Sequence, residues 1–137
     1  MTVRRAFDID EVRQWASVAA RAADDKKGAD TIVLEVGPVL AITDAFVITA
    51  GANPRQVRTI ADEIELQLKR AGGPGPLRVE GLDDMRWVLL DYGDFVVHVF
   101  LDEARDFYGL ERLWGDAAPI DWQSIVAELP SAAAVGE

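Results

Sequence analysis

Arg86-Trp87-Val88-Leu89-Leu90-Asp91-Tyr92-Gly93-Asp94-Phe95-Val96-Val97-His98-Val99-Phe100 is the stretch on which the fold turns. Two strand-forming runs flank Tyr92-Gly93, a pair suited to a two-residue hairpin loop. With that loop, Leu90 faces Phe95, Leu89 faces Val96, Val88 faces Val97 and Trp87 faces His98. Alternation then puts Val88, Leu90, Phe95, Val97 and Val99 on a core face. Trp87, Leu89, Asp91, Asp94, Val96, His98 and Phe100 fall on the other face, which mixes large apolar groups with charge.

Upstream of the hairpin, Leu77-Arg78-Val79-Glu80 reads as a short strand. Before it, Val57, Ile60, Ala61, Ile64, Leu68 and Ala71 recur at helical spacing; Asn53 stands at the cap, Pro54 at the first helical position, and Gly72-Gly73-Pro74-Gly75-Pro76 ends the run. Ala45-Phe46-Val47-Ile48-Thr49 is apolar on both faces, as a central strand should be. The strand–helix–strand order predicts that Leu77–Glu80 runs parallel to it through a right-handed crossover. Thr31-Ile32-Val33-Leu34-Glu35-Val36 is a further strand. A first helix capped by Asp8 or Asp10 carries Val12, Trp15, Ala16, Ala19, Ala22 and Ala23 on one side.

Downstream, the pattern predicts one helix over Asp102–Trp114 with Phe107, Leu110, Glu111 and Trp114 along one side, ended by Gly115. Signal weakens after it. A short helix is expected over Asp121–Leu129, followed by a frayed Ala-rich end. The expected architecture is α/β (α+β): a mixed sheet of about five strands with flanking helices. It forms a single domain over residues 1–115, with residues 116–137 as a C-terminal tail.

At 137 residues the chain is long enough to bury a core without staples, and having no cysteine it excludes disulfides, thiolate metal sites and thiol catalysis. The basic Met1–Arg5 is followed by Asp8, Asp10 and Glu11 rather than by the apolar run of a secretory signal. No apolar run reaches membrane-spanning length, so a cytoplasmic protein with no membrane association is expected. A formal charge of −10 disfavours direct DNA or RNA binding, because phosphate backbones are held mainly by Lys and Arg. It suits a basic partner instead.

Chemistry has few footholds. His98 is the only histidine, so a multi-histidine metal site is impossible, and its mid-strand place beside Trp87 favours a structural or interface hydrogen bond. Ser17, Ser124 and Ser131 lack the glycine-flanked strand–turn–helix setting of a hydrolase nucleophile. Asp44, Asp91 and Asp94 are the carboxylates nearest strand ends, where a nucleotidyltransferase holds magnesium, but Asp91 and Asp94 flank a turn that favours Asp in its own right. Thr49–Arg55 matches no phosphate-binding pattern, and capping accounts for it. Trp87, Phe100, Phe107, Tyr108, Leu113 and Trp114 crowd the last third of the folded region; most aromatics are core, yet large aromatics beside charges are also what contact surfaces use, and both readings stand.

In order, Ile42-Thr43-Asp44, Thr49–Val57, Val79-Glu80-Gly81, Trp87–Phe100 and Arg105-Asp106-Phe107-Tyr108-Gly109-Leu110-Glu111-Arg112-Leu113-Trp114 resemble the ribosomal silencing factor family, the RsfS or Iojap-like proteins. The resemblance is strongest over residues 28–114. It implies a fold similar to nucleotidyltransferases and a protein that is not an enzyme and needs no cofactor. The implied partner is the large ribosomal subunit, bound through ribosomal protein L-fourteen. Occupying that site blocks small-subunit joining and represses translation under nutrient limitation. Matching positions imply Trp87, Asp91, Tyr92, Asp94, His98, Phe107, Tyr108, Glu111 and Trp114 as contact or contact-supporting residues. Two places depart from the family pattern: Asn53-Pro54 at a helix entry, and Met85-Arg86 before Trp87, where the added charge suits a minor rRNA contact. A residual magnesium-dependent nucleotidyltransferase using Asp44, Asp91 and Asp94 is the alternative, and the mixed face also suits a two-fold homodimer.

Overall fold

A computed structural model describes residues 8–129; the Ala-rich end expected to fray lies outside the described residues. Helix α1 (Ile9–Asp25) opens with a reciprocal cap in which Asp8 accepts from the Glu11 N–H at 2.9 Å and Glu11 accepts from the Asp8 N–H at 3.2 Å. Strands β1 (Ala29–Glu35) and β2 (Ala45–Gly51) follow. Helix α2 (Pro54–Arg70) starts as its sequence predicts, with the Asn53 side chain accepting from the Gln56 N–H at 2.8 Å and Pro54 where no N–H is needed. Then come β3 (Arg78–Glu80), β4 (Trp87–Asp91), β5 (Phe95–Leu101), α3 (Asp102–Tyr108), α4 (Leu110–Leu113), β6 (Ala118–Pro119) and α5 (Trp122–Ala127).

The mixed sheet has the order β3-β4-β5-β2-β1-β6. β2 lies at its centre, parallel to β5 and antiparallel to β1, and all seven of its residues are buried, which is why its sequence is apolar on both sides. One sheet face is covered by α1 and α2, whose Val12, Ala16, Ala19, Ile60, Ile64 and Leu68 pack against Val33, Val47, Val88, Leu90, Val97 and Val99. Each fully buried Ile or Leu there contributes roughly 1.5–3 kcal/mol. The opposite face carries a smaller cluster of Leu34, Phe46, Ile48, Phe100 and Ala104, with Leu110 and Trp114 packed at its margin.

Several expectations are corrected. The Tyr92 N–H donates to the Phe95 carbonyl at 3.0 Å, so the loop is Gly93-Asp94, and Trp87 pairs with Phe100, Val88 with Val99, Leu89 with His98 and Leu90 with Val97. Glycine decides this: Gly93 has φ +84°, and a loop beginning at Tyr92 would ask that conformation of a tyrosine. Because the shift is two residues, each side chain keeps its face while changing its partner. β3 does run in the same sense as β2, but β4 and β5 lie between them. The helix expected over Asp102–Trp114 is two helices, broken at Gly109, whose φ of +60° is left-handed. Past Trp114 the chain packs back on the body: β6 pairs with β1 and makes the sheet six-stranded, and the buried Trp122 of α5 donates its indole N–H to the Thr31 carbonyl at 3.1 Å.

Candidate functional site

The sheet face away from α1 and α2 is only partly covered: α3 lies over β5 and β2, and Trp87 and Leu89 of β4 stay half-buried. Trp87, at the start of β4, sits opposite Phe100 with ring centroids 4.9 Å apart. His98 is its diagonal neighbour, and the Trp87 indole Nε1–H donates to His98 Nδ1 at 3.0 Å. Trp87 also meets the Tyr108 ring at 4.7 Å, and Tyr108 meets Phe107 edge-on at 5.1 Å. His98 in turn meets Phe46 edge-on at 4.7 Å, and Phe46 meets Trp114 at 5.8 Å. A continuous run of rings therefore crosses the face from Phe107 to Trp114.

Exposure grades along that run. Phe107 is 76% exposed and Tyr108 46%, while Trp87 and Trp114 are half-buried and His98 is buried. Burial pulls the His98 pKa from 6.5 down to about 4, so the ring is neutral at physiological pH. Since Nδ1 accepts, the proton sits on Nε2, which is buried without a hydrogen-bond partner.

The helix bearing the exposed rings is tied down by Arg105, a residue that sequence reasoning missed as part of the site. Its buried guanidinium donates to the Ala29 and Asp30 carbonyls, each at 2.8 Å, while Nε donates to Glu111 at 3.1 Å. This clamp joins α3 to the entrance of β1 and to α4, and Glu111 serves it from half-buried ground. Gly81, with φ +91°, lies so close to the Trp87 carbonyl that a Cβ there would collide with it, which explains a glycine in the Val79-Glu80-Gly81 motif.

Asp91, Tyr92 and Asp94 lie at the far end of the β4–β5 hairpin, away from Trp87 and Tyr108. Asp91 accepts from the Gly93 N–H at 2.8 Å and pairs with Arg78 at 3.4 Å; Asp94 is buried, and its carbonyl accepts from the Asp44 N–H at 2.9 Å. The Asp91 carboxylate and the Asp94 backbone build the turn. Tyr92 points to the other side of the sheet, buried and stacked on Phe95 at 4.7 Å; burial, and secondarily Glu65, push its hydroxyl pKa upward. Among the described residues no group of three His, Cys, Asp or Glu side chains is disposed to hold a metal ion.

A sequence profile of the family described as "Ribosomal silencing factor during starvation" matches residues 9–135. The ribosomal silencing factor RsfS of Bacillus subtilis is 43% identical over 104 residues, which is 76% of this chain and 87% of that one. A crystal structure of a Chromobacterium violaceum protein superposes with a TM-score of 0.72 at 35% identity, covering 80% of this chain and 88% of that one. A mouse protein named "Mitochondrial assembly of ribosomal large subunit protein 1" is 32% identical over 87 residues, 62% of this chain and 38% of its own length.

Proposed function

The chain belongs to the ribosomal silencing factor family, and from that premise we propose that it acts by occupancy: its aromatic face binds the large ribosomal subunit and keeps the small subunit from docking. The observation that carries this reading is the Phe107–Tyr108–Trp87 ladder, two exposed rings built on a third that is half-buried and hydrogen-bonded beneath them. Large rings held in one geometry lose little conformational entropy on binding, and clusters of this kind carry most of the energy of protein interfaces. The direct partner is a basic ribosomal protein, L-fourteen. Exposed Asp102, Glu103 and Asp106 on α3 give the ladder an acidic rim, within a chain whose formal charge is −10, and such a field speeds encounter with a basic surface. The mouse relative's name attaches that protein to the large subunit, which supports the choice of subunit.

In this reading Phe107, Tyr108, Trp87 and Trp114 make contact. His98, Glu111, Asp91, Tyr92 and Asp94 support the face from below or from the turn. The output is competition for one surface and requires no reaction, so the protein is not an enzyme and translation falls when it is bound. Sedimentation of the purified chain with isolated large and small subunits tests this. It should pellet with large subunits alone and be displaced by an excess of free L-fourteen; a chain that stays in the supernatant with large subunits contradicts the reading.

A further inference from the structure

We propose that His98 is a positioning residue for the recognition face: by accepting the Trp87 indole N–H it fixes the orientation of that ring, and through it the seat of Tyr108. The inference rests on the occupancy reading for its functional consequence, but its structural half stands apart from it.

Trp87 begins its strand and is half-buried, its ring against both Phe100 and Tyr108, whose own centroids lie 6.2 Å apart. Ring contacts alone constrain an indole weakly, since the ring turned over about its Cβ–Cγ bond keeps most of its apolar area in contact. The N–H breaks that symmetry, because only one orientation delivers it to His98, and a donor turned away from its acceptor loses the hydrogen bond. His98 supplies the acceptor at 3.0 Å from a position too buried to be a main contact itself. The cost of this arrangement is visible on the same ring: Nε2, which must then hold the proton, has no partner. A histidine selected for packing alone would gain from replacement by an apolar side chain of similar size. Keeping an imidazole with one unsatisfied nitrogen makes sense where the other nitrogen holds something in place.

The test separates holding from packing. His98→Asn keeps an acceptor where Nδ1 stands but leaves a void; His98→Leu fills the space but has no acceptor. Stability and recognition should therefore rank the two variants in opposite orders. We expect His98→Leu to bind isolated large subunits about tenfold more weakly while unfolding at a higher temperature than His98→Asn. His98→Asn should bind within about threefold of wild type despite a lower unfolding temperature. In parallel, the Trp87 indole N–H resonance of nitrogen-15-labelled protein, identified by its loss in Trp87→Phe, should exchange slowly with solvent in the wild type and rapidly in His98→Leu. Affinities that follow stability, or that do not change in either variant, overturn the proposal. So does a Trp87 indole N–H that exchanges equally fast in the wild type and in His98→Leu, a result that needs no ribosome. If the native chain shows the protected N–H yet binds no subunit, the occupancy reading fails, and with it the role in recognition. Should His98→Asn not fold, adding His98→Leu to Trp87→Phe decides the matter: no further loss of affinity supports positioning, and an additive loss overturns it.

Discussion

Tyr108 and Trp87 are neighbours in the same ladder, yet they differ as probes. Tyr108 is nearly half exposed and none of the side-chain hydrogen bonds among the described residues uses its hydroxyl, whereas Trp87 is half-buried and bonded to His98. Tyr108→Ala should weaken subunit binding by more than ~1 kcal/mol with an unchanged unfolding temperature. Trp87→Ala should lower both, because it also strips His98 of its donor. Titration of bound fraction beside thermal unfolding checks the pair. His98 further predicts a pH dependence: unfolded, the ring takes up a proton below about pH 6.5, but folded only below about 4. Between those values the unfolded chain binds the proton and the native one does not, so this residue removes on the order of 3 kcal/mol of stability as pH falls through the window, and nothing more below it. Denaturant unfolding from pH 7.5 to 4 should show that slope in the wild type and its absence in His98→Leu. The sequence marks which residues form the face, since alternation is a local property. It does not separate exposed rings from supporting ones, because exposure depends on what α3 and α4 cover.

At the level of elements, what was legible followed from short-range chemistry. The caps of α1 and α2, the doubly buried β2 and the face assignments of β4 and β5 all rest on residues within a turn of one another. Three features escaped, two through a glycine whose left-handed conformation was not foreseen and one through a long-range contact. The hairpin partners moved by two because Gly93 must sit first in the loop. Gly109 breaks a helix whose residues on either side read as one pattern, and a lone glycine in a helical run is often tolerated. The Arg105 clamp reaches carbonyls 75 and 76 residues away, which nothing near Arg105 announces. Removing the clamp with Arg105→Leu leaves the Ala29 and Asp30 carbonyls and the Glu111 carboxylate without their donor. It should cost roughly 2–4 kcal/mol of stability, measured by denaturant titration, and speed exchange of the α3 amides more than those of α2. Equal effects on both helices would mean that Arg105 does not anchor α3 in particular.

The described residues present a ladder of exposed rings on a chain of strongly negative charge. A mixed sheet flanked by helices was legible from the order of strands and helices, although the adjacency of β5 to β2 was not: it requires the β4–β5 hairpin to insert between β2 and β3, and local sequence does not specify long-range pairing order. Charge acts at this scale. If an acidic rim steers the chain to a basic ribosomal protein, raising salt from 50 to 300 mM should slow association while changing dissociation little, measured by stopped-flow mixing with large subunits. The most direct test of occupancy is the rejoining of purified ribosomal subunits followed by light scattering, with this chain added first to the large subunit. Rejoining should fall in proportion to the large subunits occupied, and recover when Tyr108→Ala replaces the wild type at the same concentration. Normal rejoining on large subunits saturated with the wild-type chain would contradict the account.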